Sequence, residues 1–296
     1  MRIAIIGAPV DLGADRRGVD MGPSAIRYAD LEAGLRENGH VVQDFGNVAM
    51  PVPEIEEISP SHMKYLRPIV DMAENLAALA ADRVKEGWFP LVLGGDHSVS
   101  LGSVAGSTTD RTAGIIWIDA HGDFNTAESS PSGNIHGMVL AALAGRGDSR
   151  LINVGYPGAK VDPGNVVLIG VRSLDAGERS LLKSCSIKVF TMHDVDRLGL
   201  PQVIAEATEI AGQGVDGIHL SLDLDVVDPL QAPGVGTPVF GGLTFRETHL
   251  AMELLAESQR VMSMDVVEVN PILDSHNETA RLAVQFTLSA LGKRIL

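Results

Sequence analysis

Gly114-Ile115-Ile116-Trp117-Ile118-Asp119 is a run of consecutive apolar residues closed by a carboxylate. A strand with one wet face alternates apolar and polar residues, so an unbroken apolar run predicts a strand covered on both faces, as in a parallel sheet flanked by helices. Val166-Val167-Leu168-Ile169 has the same character. Working outward, short apolar runs predict further strands at 2–7, 41–45, 90–94, 187–190, 217–223 and 260–267. Helical patterns lie between them at 24–38, 61–86, 137–144, 176–183, 201–211, 245–258 and 278–291. The longest, 61–86, carries Met63, Leu66, Ile69, Val70, Ala73, Leu76, Ala77 and Ala80 at steps that mostly follow one helix face, and Gly87 closes it. The alternation predicts one doubly wound α/β domain over 1–296, with a mainly parallel sheet of about eight strands and helices on both faces. No linker, composition break or internal repeat divides it, and 50–60 and 124–135 read as long insertions at strand ends.

Composition agrees and narrows the function classes. Of 296 residues, 45% are hydrophobic, 21% charged and 4% aromatic, which excludes a disordered chain, a collagen repeat and a disulfide scaffold. Lys plus Arg number 23 against 38 Asp plus Glu, a net charge of −15, so nucleic-acid backbones and anionic membranes are poor partners. The single cysteine, Cys185, rules out an intrachain disulfide and fits a reducing, cytoplasmic setting. The opening Met1–Gly7 run reads as a first strand rather than a secretion signal, and no uninterrupted apolar stretch is long enough for a membrane helix.

In open α/β sheets ligands bind beyond the carboxyl ends of the strands, and three expected strands end in metal-ligand residue types. They read Gly94-Gly95-Asp96-His97-Ser98, Asp119-Ala120-His121-Gly122-Asp123 and Ser221-Leu222-Asp223-Leu224-Asp225-Val226-Val227-Asp228-Pro229. Alternate residues of an extended segment share a face, so Asp119, His121 and Asp123 are expected to point to one place, as are Asp223 and Asp225. Singly, each piece is as well explained by a turn, a helix cap or a structural histidine; together, carboxylates after apolar strands need pairing or coordination. Two imidazoles and four carboxylates balance two divalent cations and favour Mn²⁺ over Zn²⁺. Six side chains for two ions imply bridging carboxylates, and two-metal sites activate water for hydrolysis.

These motifs, with Arg17-Gly18-Val19-Asp20-x-Gly22-Pro23 and Glu268-Val269-Asn270-Pro271, resemble the signatures of the ureohydrolases, which include arginases, agmatinases and formiminoglutamases. The likeness runs the length of the chain. It implies two Mn²⁺ per subunit, one held by His97, Asp119, Asp123 and Asp223, the other by Asp119, His121, Asp223 and Asp225. A hydroxide bridging them would attack a guanidinium carbon, with Asp123 passing a proton to the leaving amine and His136 relaying protons to solvent. Glu268 would grip the guanidinium. The loop Asn125-Thr126-Ala127-Glu128-Ser129-Ser130-Pro131-Ser132-Gly133-Asn134-Ile135-His136-Gly137 is similar to the arginase variant rather than the agmatinase one. That likeness implies Asn125, Ser132 and Asn134 on an α-carboxylate, Asp175 on an α-amino group and Glu178 nearby, hence cleavage of L-arginine to L-ornithine and urea.

Without the resemblance, Asn125, Ser132 and Asn134 would read as turn residues, Glu268 as a surface loop residue and His136 as a helix-start residue. Ser173 stands where the family often carries another acidic residue, leaving Asp175 to act with less help. Arg246 resembles an interface arginine of the family, which implies a homo-oligomer, a trimer or hexamer. His40, His62, His193, His219, His249 and His276 match no motif and read as structural or surface residues. The alternatives are a ureohydrolase acting on agmatine or another guanidino acid, a zinc amidohydrolase of related fold, and a non-catalytic metal-sensing or interaction protein. No nucleotide-binding glycine pattern is present.

Overall fold

Strands apolar at every position have both faces to cover, and the chain covers them with helices on each side. The computed structural model describes residues 1–50, 56 and 62–294. Among these, the strands are β1 (Arg2–Ala8), β2 (Val41–Asn47), β3 (Phe89–Gly94), β4 (Ala113–Ile118), β5 (Val166–Val171), β6 (Lys188–Thr191), β7 (Gly217–Asp223) and β8 (Val261–Val267). They form one sheet of order β2-β1-β3-β8-β7-β4-β5-β6, and every pairing is parallel. The helices are α1 (Gly22–Tyr28), α2 (Leu31–Glu37), α3 (Leu66–Lys85), α4 (Ser100–Ser107), α5 (Val139–Leu143), α6 (Ser149–Ile152), α7 (Ala176–Lys183), α8 (Met192–Leu198), α9 (Leu200–Ala211), α10 (Phe245–Ser258) and α11 (Glu278–Ala290).

Two apolar cores lie on opposite faces of the sheet. Ile116 and Ile118 of β4 face one, with Leu35 of α2, Val203 of α9, Leu255 of α10 and Phe286 of α11. Ile115 and Trp117 face the other, with Leu76 of α3, Val104 of α4 and Leu140 of α5. The fold is therefore the expected doubly wound α/β domain. No helix among the described residues is long and apolar enough to cross a membrane.

Several boundaries differ from expectation for identifiable reasons. The helix expected at 24–38 is two helices, α1 and α2, broken where Asp30 adopts a left-handed φ of 64°. The one expected at 137–144 begins as a 3-10 turn, Ile135–Met138, before α5. That expected from residue 61 starts at Leu66; residue 61, most of 50–60 and the final two residues lie outside the described residues. Helices α4, α6 and α8 are additional to those expected.

Helix α4 contains Gly102 and Gly106, which weaken helix propensity by about 1 kcal/mol each relative to Ala. Both serve close packing: an added Cβ would lie 2.5 Å from the Ala73 carbonyl oxygen at Gly102 and 2.5 Å from that of Ala77 at Gly106, both on α3. Gly106→Ala, normally helix-stabilising, should here destabilise by about 1–3 kcal/mol through overpacking. The thermal midpoint should fall by roughly 2–5 °C. A midpoint that holds or rises in a thermal melt would mean that α3 and α4 tolerate wider spacing.

The sheet order decides where chemistry sits. Strands β3, β8, β7 and β4 are adjacent, and their ends are level: Leu93 pairs with Val266, Asp223 with Val267, and Ile118 with Leu222. The turns leaving these four strands are thereby gathered on one rim.

Candidate metal centre and active-site cleft

Each strand on that rim hands over to a tight turn. After β3, Gly95 passes so close to the preceding loop that a Cβ would lie 1.7 Å from the Val10 carbonyl oxygen. Asp96 then caps a 3-10 turn by accepting from the Ser98 N–H at 2.9 Å, and His97 opens that turn. After β4, Asp119 Oδ1 accepts from the His121 N–H at 2.7 Å, and Asp123 turns the chain with a left-handed φ of 49°. After β7, Asp223 Oδ1 accepts from the Asp225 N–H at 2.8 Å and starts the turn Leu224–Val226.

Alternation along a strand therefore does not bring these carboxylates together, contrary to expectation. Strand β4 ends before Asp119 and β7 ends at Asp223; the acids cap the turns that redirect the chain. The convergence itself is present. His97 Nδ1 lies 3.2 Å from Asp119 Oδ2, 3.0 Å from Asp123 Oδ2 and 3.1 Å from Asp223 Oδ2. His121 Nδ1 lies 3.0 Å from Asp225 Oδ2 and 3.4 Å from Asp119 Oδ1. These distances make two groups able to hold a cation, His97–Asp119–Asp223 and Asp119–His121–Asp225, and the groups share Asp119.

Electrostatics test whether cations fit here. Asp119, Asp123, Asp223 and Asp225 are all at most 6% exposed, a concentration of negative charge that a low-dielectric interior does not tolerate uncompensated. Burial, then the charges of Asp225 and Asp119, push Asp223 well above the ordinary carboxylate range. Burial and the charge of Asp119 raise Asp123 to about 6. Burial opposes charge on His97, yet its three carboxylate neighbours hold the imidazole well above its ordinary value. Asp119 shows the reverse balance: burial pushes it up, but the two histidines carry it well below the usual range. The raised Asp223, Asp123 and His97 share one cause, a surplus of negative charge around buried groups. Meanwhile His97 Nδ1 is buried and hydrogen-bonded to none of the oxygens crowding it. Nitrogen and oxygen ligands converging on shared points fit divalent cations, which supply the balancing charge.

Glu268 comes directly after β8, with a left-handed φ of 65°, and is 1% exposed. Its Oε1 accepts from the His97 N–H at 3.1 Å and lies 3.0 Å from His136 Nδ1. Its Oε2 is buried without a hydrogen-bond partner among the described residues. Gly236 keeps that oxygen uncovered, since a Cβ there would lie 2.8 Å from it. Burial works against charge on His136, but the bond to Glu268 and that residue's charge raise the imidazole to about 9.

A cleft beside the cluster is floored by His121 and Asp123 and walled by the 125–137 loop, Asp175, Glu178 and Thr237. Asn125 Nδ2 donates to Asp175 Oδ2 at 3.1 Å, tying the loop to the start of α7. Lys64 Nζ donates to Asn134 Oδ1 at 3.1 Å, and the Asn134 side chain also hydrogen-bonds Asp15. Ser132 and Ser130 line the same wall. Glu178 differs from the rest: its oxygens accept from the backbone N–H groups of Phe124 (2.9 Å) and Asp175 (3.3 Å), so it buttresses the loop junction.

Sequence reasoning misses three contributors. Trp117 stacks on His97 with ring centroids 4.0 Å apart and planes 7° apart, and its Nε1 donates to Asp119 Oδ2 at 3.0 Å. Thr237 Oγ1 donates to Asp225 Oδ2 at 2.9 Å. Ser130 lines the cleft. Trp117 is visible in the sequence only as a core residue of its strand, and nothing there ties Thr237 to a site.

The arginase family model matches residues 1–292. The chain belongs to the arginase family. The arginase of Brevibacillus brevis is 51% identical over 99% of both chains. The solved arginase of Bacillus caldovelox, also 51% identical, matches with a TM-score of 0.96 over 99% of each chain. The arginase of Entamoeba histolytica, solved in complex with L-ornithine, matches at 31% identity with a TM-score of 0.90 over 99% of each chain. An arginase-family chain is a hydrolase, and the clustered His and Asp groups are its candidate metal ligands.

Proposed function

We propose that this chain hydrolyses L-arginine to L-ornithine and urea with two Mn²⁺ per subunit. The observation that carries the reading is the arrangement of His97 and His121 among four buried aspartates, beside a cleft whose rim holds neutral hydrogen-bonding groups and one exposed carboxylate. The similarity to arginases over nearly the whole chain supports the substrate.

His97, Asp119, Asp123 and Asp223 would hold one cation and Asp119, His121, Asp223 and Asp225 the other, with Asp119 and Asp223 shared. When bound, the pair acidifies water and supplies the positive charge that stabilises a tetrahedral centre. The remaining residues bind and move protons. The free Oε2 of Glu268 accepts from the planar guanidinium, for which a carboxylate is the natural partner. Asn125, Ser132 and Asn134 hydrogen-bond the α-carboxylate, while Asp175, held in place by Glu178 and Asn125, receives the α-ammonium. Asp123 hands a proton to the leaving amine. With Nδ1 turned to Glu268, His136 has Nε2 left to exchange protons with solvent.

Two further features extend the proposal. Leu230 and Phe240 are 85% and 76% exposed, apolar surface that a second copy would cover in a trimer or hexamer. The single thiol, half-buried on Cys185, suits the cytoplasm. The deciding experiment measures urea release from L-arginine and agmatine in parallel, after Mn²⁺ loading and after chelation. Strong Mn²⁺-dependent release from arginine alone is expected. Release from agmatine instead would keep the metal centre and overturn the α-carboxylate assignment. Silence on both would overturn the arginine reading.

A further inference from the structure

We infer that Asp265, which touches neither cleft nor cluster, is a positioning residue that sets through Ser221 which ring nitrogen of His97 faces the cations. The inference rests on the proposed metal centre and deepens it. Behind the cluster, within the sheet, lies a chain of fully buried polar groups: Ser221 on β7, Asp265 on β8, His219 and Ser263 on the same two strands, and Ser100 at the start of α4.

Proton bookkeeping gives the chain a direction. Ser221 Oγ donates to Asp265 Oδ1 at 2.6 Å, the short separation of a hydroxyl bonded to a carboxylate. Ser100 Oγ donates to Asp265 Oδ2 at 2.9 Å, and His219 Nε2 lies 3.0 Å from the same oxygen. A carboxylate with three donors around it is an acceptor only. Having given its one proton to Asp265, the Ser221 hydroxyl must accept at its other contact, His97 Nε2 at 2.7 Å. Nε2 therefore carries the hydrogen, and the lone pair of a neutral His97 falls on Nδ1, the nitrogen surrounded by Asp119, Asp123 and Asp223. Stacking on Trp117 fixes the ring plane, and the relay fixes the rotation within it. Partners of this kind hold a ligating histidine in its working tautomer. His121, the other imidazole, is 27% exposed and stands outside this network.

Ser221→Ala leaves His97 Nε2 without an acceptor and removes a single oxygen, so the fold should survive. Calorimetric titration of chelated protein with Mn²⁺ should show an affinity about 10–100-fold weaker than wild type for at least one cation. The activity deficit at low Mn²⁺ should disappear at saturating Mn²⁺, which a merely damaged fold would not show. Ser100→Ala removes an equally buried hydrogen bond to the same carboxylate without touching His97, and should bind Mn²⁺ as wild type does. Asp265→Asn keeps the volume and an acceptor oxygen but not the charge, and should fall between the two; it carries the test if Ser221→Ala does not fold. Wild-type affinity in Ser221→Ala, or equal losses in Ser221→Ala and Ser100→Ala, would overturn the inference while leaving the metal reading intact. A wild-type chain that binds no Mn²⁺ would overturn both.

Discussion

Asp119→Asn should leave a folded protein that no longer holds its full complement of Mn²⁺ and releases urea from arginine on the order of 10³-fold more slowly. Asp119 belongs to both groups that the side-chain distances bring together, and in the proposed ligand set it is shared alongside Asp223. Both of its oxygens are also committed to donors, Oδ1 to the His121 N–H and Oδ2 to Trp117 Nε1. An amide cannot imitate this, because its NH₂ must point at one of those N–H groups. The substitution therefore removes a charge and misplaces a donor at the centre of the cluster. Losing a ligand shared by two Lewis-acid positions forfeits several kcal/mol of charge stabilisation, and about 4 kcal/mol corresponds to that thousandfold. Metal analysis alongside steady-state kinetics checks the prediction. Full metal content with normal turnover would mean that Asp119 is not a ligand.

Glu268→Gln should reduce kcat/KM for arginine by about 10²–10⁴-fold, the equivalent of roughly 3–5 kcal/mol for removing one partner of a buried ion pair. Metal content should be untouched. The amide oxygen can keep the contacts Oε1 now makes to the His97 N–H and His136. The NH₂ must then take the place of Oε2, the buried oxygen with no partner among the described residues, and a donor there meets the donors of an incoming guanidinium. The pattern to look for is normal Mn²⁺ stoichiometry with lost catalysis, opposite to that of Asp119→Asn. If Glu268→Gln turns over arginine normally, the guanidinium is held elsewhere. These variants separate the metal centre from substrate recognition, which urea assays on the wild type cannot do.

The elements most readable in the sequence are those whose ends carry their own signals. Helix α7 begins at Asp175 with Glu178 three residues on, and α10 at Thr244 with Glu247, capping boxes that place a helix start without tertiary information. Strand β7, with Ile218, Leu220 and Leu222 alternating with His219 and Ser221 before Asp223, is placed to the residue. The features that escape depend on contacts. Asp30 is an acceptable helix residue by type, and nothing in the local sequence announces the left-handed φ of 64° that parts α1 from α2. Helix α4 looks unhelical because its glycines exist for α3. The ligand types at three strand ends are legible, but their meeting depends on β8 inserting between β3 and β7, a sheet order no local pattern contains. Family likeness is what points to Glu268 as a candidate, whereas its bare Oε2 is a product of the fold.

The chain has two tryptophans, and their surroundings give them separate duties in spectroscopy. Trp117 lies flat against one metal-ligand candidate and hydrogen-bonds another. Trp88 sits at the far end of β3's approach, edge-on to Phe45 and beneath the Arg2 guanidinium, in contact with no residue of the cluster. Cation binding at the proposed centre should therefore change the emission of one indole and leave the other as a constant background. Titrating the protein with Mn²⁺ while recording its own fluorescence would then gauge occupancy without label or substrate.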